Sequence, residues 1–157
     1  MGLEQTALHE EWEDTQQGRY LTFLVDGEAL GLEIGYVKEI IGIQPIARLP
    51  DSPAYVKGII NLRGKIIPVI DMRLKFHKQP EEYTDRTCVI VVDTGERIAG
   101  LIVDQVTEVL RIEQSNIVPP PQEATGASGY IKGIGKAEGQ VKLLLDTEML
   151  LAKEHAE

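Results

Sequence analysis

Residues 55–71 read YVKGIINLRGKIIPVID, and residues 130–146 read YIKGIGKAEGQVKLLLD. The second stretch repeats the first. Tyr55/Tyr130, Lys57/Lys132, Gly58/Gly133, Ile59/Ile134, Gly64/Gly139 and Asp71/Asp146 recur at the same spacing. Upstream, VDGEALGLEIGYVKEII (25–41) resembles VDTGERIAGLIVDQVTEVL (92–110) once a two-residue insertion is allowed. A chain that repeats itself over this length is built from two related units. The division expected is an acidic lead-in tail (1–18), a first half (19–83), a second half (84–151) and the end of a terminal helix with its tail (152–157).

Each half reads as short strands. Residues 21–25 are apolar and β-prone, and Asp26-Gly27 follows as a hairpin signal. Residues 93–96, DTGE, occupy the same place between CVIVV and RIAGLIV. Gly64 and Gly139 sit between apolar runs and mark two more turns, and Pro68 inside IIPVI implies an edge strand or a bulge. Asp71 and Asp146 each close a strand and precede a helical stretch, where a carboxylate caps the free N–H groups of the first turn. The last stretch, TEMLLAKEHA, reads as a helix that packs Met149, Leu150 and Leu151 on the core.

Strands of this length with Gly and Pro punctuation predict an all-β fold of small barrels or a sandwich. A barrel of about 65 residues buries only about 60% of its unfolded surface. Two such halves therefore pack together, and the groove between them is a natural binding site.

The bulk numbers exclude several function classes. Of 157 residues, 43% are hydrophobic and 26% charged, the range of a folded globular chain. No apolar run approaches the roughly 20 residues of a membrane-spanning helix. The first 18 residues have neither the basic start nor the apolar core of a secretion signal, which points to the cytoplasm. The single cysteine, Cys88, lies in an apolar run and reads as a small buried hydrophobe. The net charge of −9 and the 5% aromatic content argue against nucleic-acid binding. The tail, with Glu4, Glu10, Glu11, Glu13 and Asp14, carries part of that acidity and reads as solvated, with Trp12 free to dock.

The residues of catalysis do not assemble. His9, His77 and His155 lie apart, without a second His or Cys at metal-ligand spacing. Ser52, Ser115 and Ser128 sit in Pro- or Gly-rich loops and form no nucleophile elbow. The run from Gly58 to Lys65 has one residue too many for a phosphate loop, and Ile66 stands where Ser or Thr would hold magnesium. Gly133, Gly135 and Gly139 miss the dinucleotide fingerprint by one position. Glu33, Glu39, Asp104 and Glu108 occupy similar places in the two halves and leave acid–base work open as an alternative to surface carboxylates.

The copies differ most at Asn61-Leu62-Arg63 against Lys136-Ala137-Glu138. Arg63 at a turn is either a solvated side chain or a planar, bidentate anchor of an interface. Val37, Glu39, Val106, Glu108 and Val109 form a second cluster, either core-and-surface alternation or a mixed apolar and acidic rim.

These same segments carry a family resemblance. VKEIIG, RLPDSPAYVKGIINLRGKIIPVIDMRLKF, GLIVDQVTEVL and LLLDTEMLL together resemble the CheW family of chemotaxis coupling proteins, from about Arg19 to Leu151. Met72 stands where that family usually has Leu, and the tail matches no family pattern. The resemblance implies two five-stranded SH3-like β-barrels packed together, with short helices. It implies a non-catalytic adaptor with no cofactor, linking the cytoplasmic tips of methyl-accepting chemoreceptors to the regulatory domain of the histidine kinase CheA, at the inner face of the membrane. Carried over position by position, the coupling residues are Val37, Glu39, Lys57, Gly58 and Arg63 in the first half and Gly100, Val106 and Val109 in the second. Neither a receiver domain nor a kinase's phosphotransfer and ATP-binding domains would fit in this length, so a free-standing coupling protein is the expected form.

Overall fold

The structure is a computed structural model that describes residues 17–121 and 129–152. Residues 1–16 of the acidic tail, with Trp12, and Ser128 and His155 lie outside the described residues. In chain order the elements are β1 (Arg19–Val25), β2 (Glu28–Glu33), β3 (Val37–Gly42), β4 (Val56–Leu62), β5 (Lys65–Asp71) and the one-turn helix α1 (Met72–Lys75). There follow β6 (Cys88–Asp93), β7 (Ile98–Val103), β8 (Gln105–Arg111), β9 (Ile117–Val118), β10 (Ile131–Ala137), β11 (Gln140–Leu145) and the short helix α2 (Thr147–Leu151).

The turns follow from their residues. A two-residue hairpin that matches strand twist needs positive φ at its central positions. Asp26 and Gly27 have φ of 51° and 79°, Arg63 and Gly64 52° and 87°, and Glu138 and Gly139 54° and 74°. Both helices begin as expected: the Asp71 carboxylate accepts from the N–H groups of Arg73 and Leu74, and that of Asp146 from Met149. Of the three helix residues expected on the core, Leu150 and Leu151 are buried but Met149 is exposed. On a helix this short, one face cannot hold three consecutive side chains.

Two sheets result, one ordered β8-β1-β2-β11-β10-β9 and the other β3-β6-β7-β5-β4. They do not follow the two halves of the sequence. The hairpin β1–β2 lies in a sheet whose other strands come from the second half, and β6–β7 lies among β3, β4 and β5. Each half thus builds its first hairpin into the other's sheet. The exchange is reciprocal to the residue. Leu144 pairs in parallel with Gly31 as Val69 does with Gly100, and Phe23 pairs with Val106 as Val92 does with Val37. Thr22 faces Gly31 as Val91 faces Gly100, so the ladders align the copies without the two-residue insertion that the sequence comparison used.

Pro68 is on neither an edge strand nor a bulge of its own. β5 lies between β4 and β7, and its pairing with β7 begins only at Val69, so the N–H that proline lacks falls outside that ladder. The register shift in the β4 ladder is on the partner strand, between Val56 and Gly58. Cys88 is half-buried rather than buried, its thiol donating to the Arg86 carbonyl at 3.1 Å.

Three apolar clusters organise the interior. Ile60, Ile67, Val69, Val89, Val91 and Ile102 fill the inside of one sheet, and Tyr20, Ile112 and Leu144 that of the other. The largest cluster lies between the sheets, joining Phe23, Leu30 and Leu32 to Ile90, Leu101 and Val103, with Met72 and Leu150 from the helices and Phe76 just after α1. The seam is a shared core, so the surfaces of the two sheets are fixed relative to each other.

Candidate docking surface

The turn between β4 and β5 holds Arg63 in left-handed backbone, and the Asn61 side-chain oxygen fixes it by accepting from the Gly64 N–H at 2.8 Å. From there the Arg63 guanidinium donates to the Glu39 carboxylate. Glu39 is on β3, at the opposite end of the sheet order from β4, so the ion pair reaches from one edge of the sheet to the other. The ends also approach through the loop after β3, where Ala47 and Ile59 exchange both backbone hydrogen bonds. Among the described residues no ladder joins β3 itself to β4. The Arg63 side chain is 69% exposed against 29% for Glu39. A surface ion pair of this kind adds little stability. Its effect is to hold a planar donor in one orientation while leaving most of that donor in solvent.

The other expected coupling residues divide by what they touch. Lys57 is exposed on β4, its ammonium 6.0 Å from the centre of the Tyr83 ring. Val109 is exposed on β8. Val37 and Val106 occupy equivalent positions, half-buried against the seam core. Gly58 and Gly100 are buried. A Cβ on Gly58, whose φ is 151°, would lie 2.1 Å from the Ala47 carbonyl oxygen. One on Gly100 would lie 2.6 Å from a Val89 methyl. Both glycines shape the sheet beneath the surface. Gly100, from the second half of the sequence, also sits in the same sheet as Arg63. Val106 and Val109 lie on the other sheet.

Exposed apolar side chains recur at equivalent places in both copies, Ile40 with Val109 and Ile66 with Val141. The four carboxylates that could have served acid–base work are differently employed. Glu33 pairs with Lys132 at 2.6 Å, Asp104 with Arg73 at 2.8 Å and Glu39 with Arg63, while the Glu108 side chain stands exposed. Among the described residues no three His, Cys, Asp or Glu side chains group as a metal-ligand set, and no helix is long and apolar enough to cross a membrane.

Sequence reading missed two clusters. Arg73 holds the Asp104 carboxylate with two hydrogen bonds, 3.0 and 2.8 Å, and Asp104 also accepts from the Asp26 N–H. Burial pushes the Asp104 carboxyl up, but these hydrogen bonds outweigh it and hold it below its ordinary value. Lys75 is buried where the copies meet, its ammonium 3.9 Å from the Tyr55 ring centre and 4.9 Å from that of Tyr130. The repeat offered a signal for this cage: the residue equivalent to Lys75 is Leu150.

With this geometry in hand the relatives are informative. The family model described as CheW-like domain matches residues 19–155. The chain belongs to the CheW family. It is 38% identical over 142 residues to the chemotaxis protein CheW of Klebsiella aerogenes, covering 90% of this chain and 86% of that protein. To the CheW of Helicobacter pylori it is 33% identical, over 87% of this chain and 82% of that one. Among solved structures, that of the scaffolding protein TtCheW from Thermoanaerobacter tengcongensis superposes with a TM-score of 0.80 at 33% identity, covering 86% of this chain and 93% of that one. CheW membership makes the chain a chemotaxis adaptor, and the two-sheet architecture is that of a CheW scaffold.

Proposed function

We propose that this chain couples the cytoplasmic tips of chemoreceptors to the histidine kinase CheA, and that it does so by binding alone, without a catalytic step or cofactor. In this reading it works in the cytoplasm, recruited to the inner face of the membrane through the receptors. The observation that carries the reading is the shared core of the seam, which makes one body of two sheets that each present exposed apolar strands. A partner on one sheet is then held at a set position relative to a partner on the other, which is what a coupling free energy between two sites requires. Exposed apolar residues such as Ile40 and Val109 supply contact area, and Arg63 with Glu39 supplies directional, charge-assisted hydrogen bonds. Lys57, Val37 and Val106 border these surfaces, while Gly58 and Gly100 act through the backbone they permit.

The test is to mix the chain with CheA and a receptor-tip fragment, and to measure co-migration and kinase rate. All three should migrate together, with the kinase rate responding to the receptor only when the chain is present. Arg63→Ala should weaken assembly by roughly 1–3 kcal/mol, the range of an interface anchor, with the fold intact. Unchanged capture of both partners by that variant would remove Arg63 from the interface.

A further inference from the structure

Lys57 and Lys132 hold the same place in the two copies, on β4 and β10. The Lys132 site is complete. Its ammonium pairs with the Glu33 carboxylate at 2.6 Å and stands over the Tyr20 ring, 5.9 Å from the ring centre. Ladder for ladder, Tyr20 corresponds to Val89 and Glu33 to Ile102. Both are buried apolar residues, so at the equivalent places Lys57 finds neither a ring nor a carboxylate.

The crossover between the halves supplies the ring. Residues 76–87 run from α1 to β6 and bring Tyr83 to Lys57, whose ammonium lies 6.0 Å from the ring centre. The Tyr83 hydroxyl donates at 2.8 Å to the buried Asp71 carboxylate, the group that also caps α1. Burial, then this hydrogen bond, pushes the phenol above its ordinary value, so it stays a donor at neutral pH. The crossover is fixed on either side of Tyr83. Before it, Lys78 pairs with Glu28 at 3.0 Å and the Gln79 carbonyl accepts from Arg73 at 3.0 Å. After it, the Thr84 N–H donates to the Thr87 hydroxyl at 2.8 Å. A tethered ring restricts the long lysine beside it, so less rotamer freedom is left to lose when a partner arrives. No carboxylate completes this site: among the described residues Lys57 makes no ion pair.

We propose that Tyr83 is a positioning residue of the docking surface, holding Lys57 to receive an acidic side chain of a docked partner in the place that Glu33 fills for Lys132. The placement of Lys57 stands on the contacts and the repeat; the partner's carboxylate rests on the coupling function proposed above.

Placement is tested in the full chain without a partner. Tyr83→Leu removes the ring current and should move the NMR signals of the Lys57 ε-methylene toward those of a solvated lysine, while the Lys132 signals hold still. Tyr83→Phe, which keeps the ring and cuts the tether, should move the Lys57 signals part of the way. Lys57 signals that stay in place in Tyr83→Leu, or in Tyr83→Phe should the leucine variant not fold, overturn the placement.

Docking is measured by calorimetry against CheA's regulatory domain and the receptor tip separately. Tyr83→Leu should weaken the same partner that Lys57→Ala weakens, by about two- to fivefold, the reach of one exposed cation–π contact. The double variant should bind that partner as Lys57→Ala does, because Tyr83 acts through the ammonium. A Tyr83→Leu loss that persists in full on top of Lys57→Ala overturns the positioning role. The Lys57→Ala loss should shrink as salt is raised, and a loss indifferent to salt overturns the carboxylate. Unchanged affinity of Lys57→Ala for both partners overturns the proposal outright. A parent chain that binds neither partner fails the coupling function, while the NMR result stands.

Discussion

One turn in each sheet has the same backbone and different chemistry. Arg63-Gly64 and Glu138-Gly139 are both left-handed pairs closing the same kind of hairpin. At equivalent registers in the two sheets stand Glu39, paired with Val91, and Glu108, paired with Thr22. The first turn makes an ion pair with its strand, whereas the second sets glutamate at both positions. Left-handed backbone at a residue with a side chain costs roughly 1–2 kcal/mol and often draws attention as a mark of function. Here it occurs at Glu138 as well as Arg63, so it belongs to the hairpin. What singles out Arg63 is its charge and what that charge meets. Features common to both copies maintain the fold, and those that differ are free to serve a partner.

The sharpest break of that equivalence is at a pair of glycines. A Cβ at Gly58 would run into backbone, the Ala47 carbonyl, in a conformation side chains rarely adopt. At Gly133 it would meet first a methyl of Ile117 at 2.8 Å, which can move, and no positive φ applies. Gly58→Ala should cost about 3 kcal/mol or more and Gly133→Ala about 1–2 kcal/mol, read from denaturant midpoints. Equal losses would mean that the loop over β4 yields as easily as a side chain.

Making the turns alike tests where the docking chemistry resides. Arg63→Glu gives the first copy the second copy's charges. It should leave stability within about 0.5 kcal/mol, because the lost pair is exposed. Partner binding, measured by calorimetry against CheA and the receptor tip separately, should fall by about 1–3 kcal/mol for at least one of them. Glu138→Arg, which offers Glu108 an ion pair, should leave stability within the same margin. If it restores binding to Arg63→Glu, the two sheets are interchangeable as docking faces.

How much of this was legible in advance depends on the repeat. The copies, their turns and the two Asp caps could be read because each rests on local rules, a Gly after a left-handed residue or a carboxylate before a helix. Arg63 was found by contrast with Glu138. The exchange of hairpins could not be read, for the same reason that the repeat was easy to see. β1 and β6 carry equivalent apolar patterns, so either satisfies the core of either sheet, and sequence alone leaves the pairing undecided. Gly58 and Gly100 entered as coupling residues through the family resemblance, and their buried setting was not legible, because a glycine demanded by a close approach, of the Ala47 carbonyl at one and a Val89 methyl at the other, looks the same in sequence as one at an interface. Lys75 was passed over because a lysine in a short helix ordinarily reads as solvated, and the two tyrosine rings that flank it come from distant segments.

The helices offer a gentler comparison. The second residue of α1, Arg73, ties to Asp104, and the second residue of α2, Glu148, accepts from the Tyr36 hydroxyl at 2.8 Å. Equivalent places in the fold therefore use an ion pair and a neutral donor. A depressed carboxyl contributes stability in full above the pKa of an unfolded aspartate, about 4, and loses it as pH falls further. Arg73→Ala should cost about 1–2 kcal/mol at neutral pH, toward the lower figure because Asp104 is partly screened by solvent, and the difference from the parent should close below pH of about 4.

The Tyr36 tie runs the opposite way. The hydrogen bond to Glu148, then burial and the nearby carboxylates, push the phenol from 10.0 up to about 12. The folded state holds this proton more tightly than the unfolded one, so the contribution is complete below the ordinary value of 10.0 and disappears as pH rises through about 12. Tyr36→Phe keeps the ring and removes the donor. At neutral pH it should cost about 0.5 kcal/mol or less, since both groups are largely in water. The parent and variant melting curves should differ slightly at neutral pH and merge in strong alkali, where the Arg73→Ala difference persists because its guanidinium stays charged. Were the Tyr36→Phe difference to persist undiminished in strong alkali, where the phenol has lost its proton, the hydroxyl would not be the group that α2 depends on, and the tie would lie in how the ring packs rather than in the donor.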